Sequence, residues 1–206
     1  MKLVDYLRLK ELKFNWKAVI ATIVTTLVLT VDHYHAIFKT SRDLEEILLY
    51  LVIPLLTILV VFRDPPSKFG FQFGDWKAGL ALTGIGLVII TSFVPFVART
   101  GSFQDYYETK RSLTAIISSN ALELFGWEFF FRGFLLFALL RVAGPTAIFL
   151  QAVPFALAHL GKPELETLST IFGGALFGYI AWRTKSFFYP FLIHWYLATL
   201  TIFFAN

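Results

Sequence analysis

An all-α, polytopic transmembrane bundle of about seven spans is the fold this sequence predicts, and three observations predict it. Of the 206 residues, 57% are hydrophobic and only 16% charged, against roughly 25% charged in soluble domains. Mean hydropathy is +0.68. The apolar residues form continuous runs rather than alternating patterns, and a helix needs about 20 such residues to cross a ~30 Å hydrocarbon core. Continuous runs of this length also exclude barrel strands, which are shorter and alternate. A disordered chain or a small disulfide framework is excluded by the same composition. There is no cysteine, hence no thiolate ligand and no cysteine nucleophile. The net charge of +4 comes from basic residues in short inter-helix segments. Anionic lipid headgroups are their natural partners, and no nucleic acid is implied.

The spans follow in order. The first, 18–38, opens with a clean apolar run, Ala18 to Val31, of signal-peptide-core length. No small-x-small site follows it and acids precede it, so it reads as a retained helix. The second, 44–62, ends at the Pro65-Pro66 turn. The segment from Phe69 to Trp76 alternates aromatics with Gly and polar residues and is expected to lie along the membrane interface. The third span is 78–98. The connection from Arg99 to Arg111 is the longest polar one. The fourth span, 112–142, is separated by Gly144-Pro145 from the fifth, 145–161. The sixth and seventh are 165–182 and 187–204. Glycines in the third and sixth spans, Gly79 and Gly86, then Gly174 and Gly178, predict close helix contacts. Pro54, Pro95, Pro154 and Pro190 predict kinks or helix starts. One integral membrane domain over 1–206 is expected, with no internal repeat, and the cell membrane is its expected location. With the N-terminus cytoplasmic, the inner segments hold eleven Lys and Arg against six outside, so that orientation is favoured.

Several ionisable groups fall where charge is costly, at least ~2.5–3.5 kcal/mol each on insertion scales. Glu123, Glu128 and Arg132 lie in the fourth span, His159 in the fifth and His194 in the seventh. Glu128 and Arg132, four apart, share a helix face. A buried carboxylate oriented by Arg, with two imidazoles from other helices, suits hydrolysis or a catalytic zinc site with Glu128, His159 and His194 as ligands. Asp32, His33 and His35 read as a helix end at the headgroups. Glu164 and Glu166 read as acids at a helix N-terminus.

The stretch Glu128-Phe-Phe-Phe-Arg132, then Phe155-Ala-Leu-Ala-His159, then His194 on a third helix, resembles the CAAX-processing and bacteriocin-processing (CPBP) family of intramembrane endopeptidases. The family's motifs are Glu-Glu-x-x-x-Arg, Phe-x-x-x-His and His-x-x-x-Asn, and the likeness covers about residues 112–204. It implies a membrane-embedded peptidase, described in the family as a metalloprotease, in which a carboxylate activates water. Hydrophobic or lipidated peptides would be its substrates. It implies roles for Glu128, Arg132, His159 and His194, with zinc or another divalent metal. Two positions depart from the pattern. Trp127 stands where the family has its first Glu, the favoured base there, and Ala198 stands where it has Asn. Glu128 is the first candidate to polarise the water; Glu123, one turn before Trp127 on the same face, and Glu166, seven after His159, are the alternative carboxylates. The pocket is expected to open toward the Arg99–Arg111 connection. Two alternatives are an inactive family member serving as a peptide-binding, immunity or scaffold protein, and a small proton-coupled transporter.

Overall fold

A computed structural model of the chain describes residues 11–35, 37–38 and 42–206. Seven helices correspond to the seven expected spans, and no strand occurs among the described residues. Helix α1 is Trp16–Tyr34, α2 is Arg42–Phe62, α3 is Trp76–Val97. A short helix, α4, covers Gly101–Tyr107. Helix α5 runs over 113–143, α6 over 147–157, α7 is Glu164–Thr184 and α8 is Phe188–Ala205. Among the described residues, five segments are long and apolar enough to cross a membrane, with α5 and α6 counted together and α7 not among them. The protein is an integral membrane helical bundle. The positive-charge bias draws in part on Lys2, Arg8 and Lys10, which lie outside the described residues.

Local chemistry sets the helix ends. Side chains of Asn15, Asp75 and Ser112 accept the N–H of Ala18, Ala78 and Ala115, capping α1, α3 and α5. Helices α2 and α7 stop at Arg63 and Lys185, both left-handed, and α5 stops at Gly144 (φ +52°). The expected short fifth span is only half a crossing. At about 1.5 Å per residue, α6 rises about 16 Å before the chain turns at 158–161. That shortfall leaves His159 inside the bundle, held over α7 by the Thr167 hydroxyl on its carbonyl.

Three contacts organise the bundle: α8 lies against α3 and against α5, and α6 lies antiparallel to α7. The expected glycines make the α3–α8 and the α6–α7 contacts. Gly174 and Gly178 admit Ala152 and Gln151, and buried Gln151 donates to the carbonyls of Ile148 and Gly174. A Cβ on Gly79 would stand 2.3–2.4 Å from ring carbons of Tyr189. That ring is buried and its hydroxyl is tied to the Phe73 carbonyl at 2.7 Å, so it has nowhere to move. Gly79→Ala is expected to cost about 1–3 kcal/mol by overpacking, read as a lowered thermal midpoint in detergent. Gly86→Ala, which meets only the flexible Ile193 side chain at 3.2 Å, is expected to cost less.

The Phe69–Trp76 segment departs from expectation. Phe73 and Trp76 are exposed, but Phe69 is fully buried, stacked on Phe62, and Phe71 packs against Phe125, Phe129 and Phe187. Gly133 permits this, since its missing Cβ would lie 2.8 Å from the Phe69 carbonyl oxygen. Aromatic residues with a polar neighbour read as interfacial in one dimension. Here half of them face inward and plug the end of the bundle.

At that end, Asp64 in the turn after α2 binds Lys17, Lys68 and Arg141. The hydrogen bond from Lys17, then that from Lys68, holds its carboxyl below the usual carboxylate range. A depressed pKa contributes stability above the unfolded value of about 3.9 and loses it as pH falls toward the folded value. The thermal midpoint is therefore expected to drop below about pH 4, and to drop less steeply in Asp64→Asn.

Candidate active site

The centre of α5 supplies the two charges. Leu113–Glu128 is α-helical, and Phe129–Leu135 widens into a π-helix before the α-helix resumes. Such widening accompanies functional sites. Glu128 and Arg132 are both fully buried. Arg132 Nη1 donates to Glu128 Oε1 at 3.1 Å. The guanidinium lies 3.7 Å above the Phe155 ring centroid and also faces Phe177. Aromatic faces thus replace part of its lost hydration. His194, two turns into α8, places Nδ1 2.7 Å from the same Glu128 oxygen. Glu128 Oε2 and Arg132 Nε and Nη2 have no protein partner among the described residues.

His159 stands at the end of α6. Its Nδ1 is 2.8 Å from the Phe155 carbonyl, and a carbonyl only accepts, so Nδ1 carries the proton and neutral Nε2 keeps its lone pair. Donation from His194 Nδ1 to a carboxylate fixes the same tautomer there. The Phe155 ring touches both imidazoles, with centroids 4.5 Å from His159 and 5.8 Å from His194. The structure therefore brings Glu128, Arg132 and His194 into direct contact and seats His159 nearby.

A cavity of about 560 Å³ lies between these groups and α4, with Phe103 and Tyr107 of α4 among its lining residues. Both histidines, Glu123, Trp127, Asn120 and Ala198 line it, and Glu128 and Arg132 do not. This reverses the order expected for the carboxylates. Glu128, expected to polarise water, is enclosed behind His194, while Glu123 faces the hollow. Trp127 fills the place of the family's first Glu, its ring edge-on to His159 at 5.8 Å and against Tyr50. Glu166 lines the mouth but is engaged: Tyr107 donates its hydroxyl to both carboxylate oxygens at 2.7 and 2.6 Å, and Lys162 adds a contact at 3.0 Å. Burial beside that carboxylate raises the Tyr107 pKa, so its hydroxyl stays a donor. Glu164 is exposed in the first turn of α7, and His33 and His35 are exposed at the end of α1, as expected. Asp32 instead turns inward, accepting from Tyr50 and pairing with Arg42.

The proton positions on both histidines suit ligation through Nε2. A zinc centre needs three protein ligands, however, and among the described residues no three His, Asp or Glu groups are gathered to hold a metal. Of the expected set of Glu128, His159 and His194, the two histidines line one cavity, and Glu128 stands outside its lining with Oε1 on Arg132 and His194.

Sequence reasoning missed Asn120, Tyr107 and Arg42 as cavity residues. Asn120 Nδ2 reaches Thr199 Oγ1 at 3.3 Å, beside Ala198. The signal available was a buried amide three residues before Glu123. Nothing in the sequence marked Tyr107 or Arg42.

Residues 106–200 match the family described as type II CAAX prenyl endopeptidase Rce1-like. No curated protein and no solved structure matches the chain.

Proposed function

We propose, taking the Rce1-like character of residues 106–200 as premise, that this protein is an intramembrane endopeptidase that cleaves hydrophobic or prenylated peptides within the cell membrane. One observation carries the proposal: His194 lines the cavity while its Nδ1 is fixed on a buried Glu128–Arg132 pair.

The roles follow from position. Arg132 holds Glu128 in place, and Glu128 orients His194 and stabilises the imidazolium that forms, the part a carboxylate plays behind a catalytic histidine. His194 Nε2 takes a proton from water, the hydroxide adds to the scissile carbonyl, and the imidazolium returns the proton to the leaving amine. Glu123 faces the same hollow and polarises the water, in place of the family Glu displaced by Trp127. The Asn120 amide has a second N–H free and donates to the developing oxyanion, in place of the Asn that Ala198 replaces. His159 Nε2 accepts from water or substrate. Glu128 and Arg132 are positioning residues. Lys162 and Tyr107 hold Glu166 at the mouth.

The test is cleavage of a farnesylated peptide by purified protein in proteoliposomes, with and without a chelator. Cleavage unaffected by chelation and abolished in His194→Ala supports these roles. Chelator-sensitive cleavage restored by zinc assigns the two Nε2 atoms to a metal instead. Peptide binding with no turnover assigns an inactive, peptide-binding family member.

A further inference from the structure

The opposite end of the bundle holds a second constellation that peptide hydrolysis does not use. Three cations from three separate segments converge on one carboxylate. Lys17 at the start of α1 and Arg141 near the end of α5 share Asp64 Oδ2, and Lys68 holds Oδ1. Asp64 is buried, 8% exposed, while the cationic side chains remain 34%, 32% and 58% exposed. Two of the cations also face aromatic rings: the Arg141 guanidinium lies 5.3 Å from the Phe69 ring centroid, and the Lys17 ammonium 5.9 Å from that of Phe62.

One carboxylate cannot satisfy three cations. Each ammonium carries three donors and the guanidinium five, and each spends a single contact on Asp64. The remaining donors face outward with the excess positive charge. Two of the cations share one oxygen, so a single tetrahedral anion can bridge them. Trp16, 65% exposed one residue before Lys17, marks the level as the membrane interface, where indoles concentrate. This is the height of lipid phosphates.

We propose that Lys17, Lys68 and Arg141 form a binding site for the phosphate of an anionic phospholipid headgroup, with Asp64 as its internal stand-in. Occupancy ties α1, the α2 turn and α5 together and so steadies the helix that carries Glu128 and Arg132. The site does not depend on the catalytic roles proposed above.

The experiment follows thermal unfolding of the purified protein in neutral micelles, with added phosphatidylglycerol, phosphatidylcholine or inorganic phosphate. Phosphatidylglycerol is expected to raise the wild-type midpoint more than phosphatidylcholine does. Lys17→Gln/Arg141→Gln is expected to lose that increment, and Lys68→Gln, the most exposed position, to reduce it without disturbing the fold. Asp64→Asn is the decisive variant. It leaves three cations without a partner, so it is expected to unfold earlier in neutral lipid and to gain more from phosphatidylglycerol than wild type. An Asp64→Asn midpoint restored equally by both lipids, or an unchanged increment in the Gln variants, overturns the site. An equal rise with inorganic phosphate overturns the assignment to a headgroup and names free phosphate.

Discussion

Glu128→Leu is expected to unfold the protein or lower its stability by about 3–5 kcal/mol, the cost of leaving a buried charge unpaired. Arg132 is fully buried, and Glu128 Oε1 is its single ion-pair and hydrogen-bond partner among the described residues. The aromatic faces of Phe155 and Phe177 cushion the guanidinium but do not neutralise it. Replacing both members with apolar groups of similar volume is often neutral or stabilising. Glu128→Leu/Arg132→Met is therefore expected to recover most of the thermal midpoint while cleaving nothing. Unfolding scans in detergent on wild type, the single variant and the double variant check this. A double variant as unstable as the single one removes the premise that the pair is kept for its effect on His194 rather than for stability.

His194→Ala is expected to reduce peptide turnover by about 10²–10⁴-fold, the usual contribution of a positioned acid or base. The change should fall on kcat, because the imidazole acts on the water and the leaving amine rather than on the apolar part of the substrate. Glu123→Gln is the informative comparison. Its side chain keeps its size and still lines the cavity, so substrate binding should persist while turnover falls. His159→Ala tests the second imidazole in the same assay. Steady-state kinetics on one farnesylated peptide separate the cases. A Glu123→Gln enzyme with wild-type kcat assigns water activation to His194 alone.

The cavity also explains how the chain departs from the family motifs without losing its hollow. Trp127 occupies the missing carboxylate's position and walls the site against Tyr50 and His159. Glu123 and Asn120 line the cavity one and two turns before Trp127 on α5, Asn120 across from Ala198 on α8. Helical periodicity makes this placement possible, since residues three, four and seven apart share a face.

Much of this molecule was legible in its sequence because the bilayer permits few solutions. Lipid satisfies no backbone hydrogen bonds, so long apolar runs must be helices, and each of the seven stretches forms one. The same cost makes every intramembrane charge conspicuous, which marked Glu128, Arg132, His159 and His194 before any contact was known. Spacing alone paired Glu128 with Arg132. What only the tertiary structure decided was direction. Side chains on neighbouring helices meet according to helix rotation, tilt and the π-helical turn at Phe129–Leu135, none of which has a one-dimensional signature. That is why Glu128 was expected in the hollow and stands behind His194, why Phe69 was expected at the surface and is buried, and why Asn120, Tyr107 and Arg42 became visible only once the helices were packed.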